Sequence, residues 1–195
     1  MSRYLILHSE QDRVKAEKIA GILRGTGLSA RLAKSLDEQD EAPELTIVLG
    51  SEERMSEWNV VANRRGLSWL PVRFNRLGGS LGPLVVPGVT ACHECLKQRM
   101  VSLSSPSVLE AESGFELSWQ IFAGIAALEV VKWSSRHKSS FAPLTLGHLL
   151  EFDAFHIEGE LSAVHRVPTC PVCGVRRVAG LAAQPWREAS LAVQV

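Results

Sequence analysis

Apolar and polar residues come in short blocks along the first half of this chain, and the period of each block separates strand from helix. Tyr4-Leu5-Ile6-Leu7 is a wholly apolar run between polar residues, the pattern of a buried strand. From Asp12 to Arg24, Ala16, Ile19, Ala20 and Leu23 recur at helical spacing, with charges on the other face and Gly25 and Gly27 to end the helix. Leu28 to Leu32 predicts a second strand, followed by an acidic loop from Lys34 to Pro43. Leu45-Thr46-Ile47-Val48-Leu49 is β-branched and closes on Gly50, the strongest strand signal in the chain. Ser51 opens a helix to Arg65 with Met55, Trp58, and Val61 or Ala62 on one face, stopped by Gly66. Leu67 to Phe74 then returns as a strand. Strand and helix in alternation predict a Rossmann-like α/β fold with a mostly parallel sheet.

The second half is less regular. Asn75 to Gly88 holds four glycines and reads either as a binding loop or, in preference, as a turn leading to a Leu84-Val85-Val86 strand. A helix is expected from Leu96 to about Leu103, then a Ser/Pro loop. Ser113-Gly114-Phe115-Glu116 fits a capping box in front of a helix from Leu117 to Trp133. That helix is apolar nearly all round, so it belongs in the core, or in the core and a dimer interface together. Leu146 to His156 and Glu160 to Val167 predict two antiparallel strands with Gly159 at the turn. Beyond Arg177 the periodicity fades. One domain over 1–178 with a tail over 179–195 is the expected organisation.

Charge narrows the range of partners. Lys+Arg and Asp+Glu are 21 each and the sequence pI is near 7.0, with no basic run. Nothing in that balance draws the chain to nucleic acid or to an anionic membrane. The apolar run Ile121–Leu128 is too short to span a bilayer. Met1-Ser2-Arg3-Tyr4 enters the first strand without a targeting segment, so a reducing, cytoplasmic setting is the expectation.

In that setting the four cysteines carry the chemistry. They form two C-x-x-C pairs, Cys92/Cys95 and Cys170/Cys173, roughly 75 residues apart. Two such turns supply the thiolates of a closed tetrahedral site, which predicts a structural zinc ion. Disulfides or free buried cysteines are the alternative, the disulfides disfavoured by compartment. With all four sulfurs on a metal, no thiol remains to form a thioester. His93 and His165 adjoin the pairs and are second-rank candidates for the metal.

A nucleotide-binding version of such a fold needs a glycine-rich turn after the first strand, so that phosphates can approach a helix N-terminus. Here the turn is His8-Ser9-Glu10-Gln11-Asp12-Arg13, without glycine and with two carboxylates. Gly78-Gly79-Ser80-Leu81-Gly82 lacks the Gly-Lys-Ser/Thr ending of a phosphate loop. A degenerate nucleotide site is therefore predicted. His8 sits where the phosphate turn would be, but a general base needs a partner in reach. Asp153 and His156 complete no triad. No catalytic residue and no cofactor-binding residue is assigned.

Gly82-Pro83-Leu84-Val85-Val86-Pro87-Gly88-Val89-Thr90-Ala91-Cys92-His93-Glu94-Cys95-Leu96, with Arg99, resembles a block of ThiF-like proteins, which are relatives of ubiquitin-activating enzymes. It is most similar to the ThiF-like partners of YcaO cyclodehydratases in azol(in)e peptide biosynthesis. Glu116-Leu117-Ser118-Trp119-Gln120 and His165-Arg166-Val167-Pro168-Thr169-Cys170-Pro171-Val172-Cys173-Gly174 resemble the same family, so the likeness covers about Leu45 to Gly174. The resemblance implies a scaffold that binds the leader of a ribosomal precursor peptide and presents its core to a YcaO subunit. That subunit uses ATP to turn Cys, Ser or Thr into thiazoline or oxazoline rings. Family members commonly carry an N-terminal winged-helix peptide clamp, whereas this sequence opens at the first strand, so the expectation is either a separate clamp protein as a partner or a different mode of precursor recognition. A ThiF/MoeB-like adenylyltransferase acting on a peptide or protein C-terminus is the enzymatic alternative. A zinc-ribbon module for nucleic acid is another, for which only Arg166, Arg176 and Arg177 lie near the cysteines.

Overall fold

The computed structural model describes residues 3–37, 41–75, 77–102, 116–137, 141–154 and 156–174. Their seven strands form one sheet in the order β2-β1-β3-β4-β5-β6-β7. β1 (Tyr4–Leu7), β2 (Ala30–Ala33), β3 (Leu45–Leu49) and β4 (Trp69–Phe74) are parallel, joined through α1 (Arg13–Gly25) and α2 (Glu52–Arg65). β5 (Gly78–Leu81), β6 (His148–Asp153) and β7 (Glu158–Ala163) extend the sheet, each antiparallel to its neighbour. α3 (His93–Ser102) and α4 (Glu116–Ser135) complete the elements. The fold is thus mixed α/β, with a Rossmann-like parallel half.

Alternation along the strands divides the core between the two faces of the sheet. Ile6, Ile47 and Leu70 meet Ile19 and Leu23 of α1 and Phe122, Ala126 and Val130 of α4. Leu5, Leu7, Val48 and Trp69 meet Met55 and Trp58 of α2 and Cys95 and Leu96 of α3 on the other face. Both faces of the central strands are covered, which is why Leu45–Leu49 is apolar or β-branched throughout and wholly buried. The cysteines belong to the second face.

The expected starts and stops hold at α2. The Ser51 side chain accepts from Arg54 N–H, and Gly66 ends the helix at φ 68°. Ser113 of the capping box and the 179–195 tail lie outside the described residues.

Four expectations change. Gly78-Gly79-Ser80-Leu81 is neither a binding loop nor a plain turn but strand β5, between β4 and β6. A Cβ on Gly79 would sit 2.1 Å from the Arg73 carbonyl oxygen and 2.6 Å from Phe122 Cε1, so α4 can approach only a glycine there. The Leu84–Val86 strand is reduced to two isolated bridges, Trp69 with Val85 and Leu84 with Leu146. Gly159 is not at the hairpin turn. It lies in β7 opposite Phe152, and the turn passes through Ile157, at φ 57°. Asp153 holds that turn, accepting His156 N–H at 3.0 Å, so His156 lies past the strand that was expected to contain it.

α4 is apolar all round but not buried all round. Leu117, Ile121 and Leu128 are 72%, 50% and 52% exposed and share one stripe, at i, i+4 and i+11. Among the described residues no helix is long and apolar enough to cross a membrane.

Candidate metal centre

Each cysteine pair is set by a tight local turn. Cys92 immediately precedes α3 and Cys95 lies in its first turn, where the Cys95 and Leu96 N–H groups both return to the Cys92 carbonyl. After β7, Cys170 N–H donates to the Val167 carbonyl and Gly174 N–H to the Cys170 carbonyl. A Cβ on Gly174 would come 2.4 Å from the Cys170 oxygen, so this second turn closes only on glycine.

Two arginines join the turns. Arg166 donates to the carbonyls of Gly88 and Cys173, both at 2.7 Å, and Arg99 of α3 donates to the His165 carbonyl at 3.2 Å. Val167 N–H donates to the Cys95 sulfur at 3.3 Å. Arg166 is therefore spent on the chain's own backbone rather than displayed to a polyanion. Arg176 and Arg177 lie outside the described residues.

The four sulfurs converge. All lie within 4.8 Å of one another, with Cys92 at 3.9 Å from Cys95 and 3.6 Å from Cys170, and Cys95 at 3.3 Å from Cys173. Those separations are far beyond a disulfide bond of about 2.05 Å. They match the roughly 3.8 Å edge of a tetrahedron with metal–sulfur bonds of about 2.3 Å. The donor set fits a thiophilic ion held without an open position.

Burial pushes the Cys92 thiol far up and the Cys95 thiol up to about 11. Burial pushes Cys173 the same way, but hydrogen bonds from the Cys95 and Cys92 thiols outweigh it and hold Cys173 below its ordinary value. Binding an ion here therefore releases protons.

The surrounding histidines stand outside the four-sulfur group. The buried His93 ring places Nε2 2.6 Å from Glu52 Oε1. Arg73 at the end of β4 binds the other Glu52 oxygen at 2.8 Å. His165 is exposed. His8 is buried rather than on the surface, its Nδ1 2.8 Å from the Ser9 carbonyl oxygen. Sequence reasoning missed Asn59, a buried amide on α2. It accepts His93 N–H at 3.2 Å and hydrogen-bonds the Cys92 sulfur. Its one legible signal was a polar residue one step beyond Trp58, at the margin of the apolar face of α2.

The turn after β1 is filled by its own groups. Ser9 Oγ donates to Asp12 Oδ2 at 2.6 Å, and the Asp12 and Arg13 N–H groups return to the Ser9 and Glu10 carbonyls. Glu10 pairs with Lys34 at 2.8 Å. The amides that would cradle a phosphate point back into the turn, beside two carboxylates.

No family model and no curated protein matches this chain. Solved structures do. A heterocyclase solved in complex with substrate and cofactor shares the fold at TM-score 0.71 and 21% identity, over 89% of this chain and 26% of that one. The heterocyclase TruD matches at 0.64 and 22% identity, over 89% of this chain and 28% of its own. E. coli MccB matches at 0.60 and 19% identity, over 90% and 55%. The chain thus spans about a quarter of the two heterocyclases and about half of MccB. At these identities the likeness establishes the fold alone.

Proposed function

We propose that this chain is a non-catalytic, ThiF-like scaffold that binds a ribosomal precursor peptide and activates a YcaO cyclodehydratase forming thiazoline or oxazoline rings. Zinc on Cys92, Cys95, Cys170 and Cys173 is its structural cofactor, supplying cross-links rather than reaction chemistry because thiolates fill every position. The observation that carries the reading is the self-bonded Ser9–Asp12 turn, set in a fold shared with two heterocyclases. A chain with that fold and no phosphate cradle suits a platform better than an adenylating enzyme.

A peptide partner is supported by the heterocyclase solved with substrate and by MccB solved with MccA. Mixing the chain with candidate YcaO, precursor and clamp proteins tests the proposal: azoline formation, read as loss of one water mass per ring, should require this chain. ATP–pyrophosphate exchange by the purified chain alone would refute it. That outcome would favour the adenylyltransferase reading, for which MccB solved with AMPCPP and MccA is the supporting comparison. The exposed α4 stripe adds a homodimer to the proposal.

A further inference from the structure

Among the described residues the seven-stranded sheet ends at β7, where all six residues lie on an outer edge and five are exposed. Strand register then determines what that edge displays. Arg73 stands opposite Ser80, Ser80 opposite Glu151 and Glu151 opposite Glu160, in one row across four strands. In the next row Asp153 stands opposite Glu158. Cross-strand partners share a face, so β6 and β7 put four carboxylates side by side on the face that also carries α2 and α3.

Like charges directly across a strand pair oppose the pairing. Charge on an edge strand commonly guards against self-association, and Glu158 and Glu160 suffice for that. Asp153 is accounted for by the turn, where it accepts His156 N–H and meets the His156 ring at 2.8 Å, but neither the guard nor the turn requires Glu151 opposite Glu160 on β6. The opposite face has the complementary character. Gly159 stands opposite Phe152, which is half-buried and stacked on Phe122 at 6.5 Å between centroids. With no side chain at Gly159, a strand added outside β7 could lay a side chain across the gap onto Phe152.

We propose that the β7 edge binds an extended, cationic segment of a peptide partner by strand addition, with basic side chains opposite Glu158 and Glu160 and an apolar or aromatic one opposite Gly159. Main-chain hydrogen bonds hold the segment, and alternation of basic and apolar positions selects it. This deepens the peptide-binding reading above but stands apart from ring formation and from the metal, which have their own assays.

The full chain is titrated with a fluorescein-labelled peptide of alternating Lys and Phe, read by fluorescence anisotropy. The account needs saturable binding that weakens as salt rises and falls at least tenfold in the double variant Glu158→Lys, Glu160→Lys. The milder Glu158→Gln, Glu160→Gln pair should fall severalfold and serves if charge reversal unfolds the hairpin. The same peptide N-methylated at alternate amides should not bind. No binding at millimolar peptide, unchanged binding by both double variants, or equal binding by the N-methylated probe would overturn the proposal. So would β7-dependent association of two copies, which would assign the edge to self-pairing.

Discussion

Glu52 and His93 meet at 2.6 Å, tying the N-terminus of α2 to the turn that carries the first two cysteines. The contact links the end of the parallel sheet to the candidate metal centre, because Arg73 of β4 completes it from the other side. Burial pushes the Glu52 carboxyl up, but the hydrogen bond and charge of His93, then the charges of Arg73 and Lys97, outweigh it and leave the group below its ordinary value. A carboxyl depressed in the folded state contributes stability above its unfolded pKa and loses it as pH falls through the folded one. Denaturant melts should therefore show wild-type protein weakening below about pH 4. Glu52→Gln should cost on the order of 1 kcal/mol at pH 7, a figure held down by the partial exposure of Glu52, and should flatten the acid limb. An unchanged acid limb in the variant would remove Glu52 as its source.

Asn59 supports the metal site from behind. Asn59→Leu keeps the branched shape, strands the His93 N–H and withdraws a donor from the Cys92 sulfur. Outer contacts of this kind are worth about 10- to 100-fold in metal affinity. Competition with a chromophoric chelator should show a loss of that order, and a cobalt-substituted sample should show an altered thiolate charge-transfer band. Affinity and spectrum both unchanged would make Asn59 a packing residue only.

Gly79 is set by α4. In Gly79→Ala the new methyl meets the Arg73 carbonyl and the Phe122 ring, both too close to accommodate. A loss of about 2–4 kcal/mol is expected in chemical denaturation, as for an overpacked core. Gly124, whose added Cβ would meet nothing within 4 Å, is the control: alanine there should be neutral or mildly stabilising.

The α4 stripe predicts self-association. Light scattering on the native chain should give twice the monomer mass, and Ile121→Arg with Leu128→Arg should return it to monomer without lowering the melting temperature. A native monomer would leave the stripe to another partner.

Local patterns disclosed the parallel half of the fold. Tyr4–Leu7 and Leu45–Leu49 are buried on both faces, so every residue in them signals strand. The antiparallel half was harder to read because its signals are not local. Gly78-Gly79 looks like a loop until Phe122, over 40 residues away, is seen to demand glycine. Gly159 looks like a turn for the same reason, although the turn rests on Asp153. The cysteine pairing was legible because both spacings are short and the residue type is rare in the chain. Its support was not: Asn59, Glu52 and Arg166 are ordinary polar residues whose roles exist only in three dimensions.

Metal analysis of protein purified without added metal bears most directly on the four-sulfur centre. One zinc per chain is expected, with four thiols masked from modification and a melting temperature that drops by many degrees on chelation, since a structural zinc adds several kcal/mol. A metal-free native chain, its thiols reactive and its melting temperature indifferent to chelator, would contradict the idea that an ion locks this scaffold together.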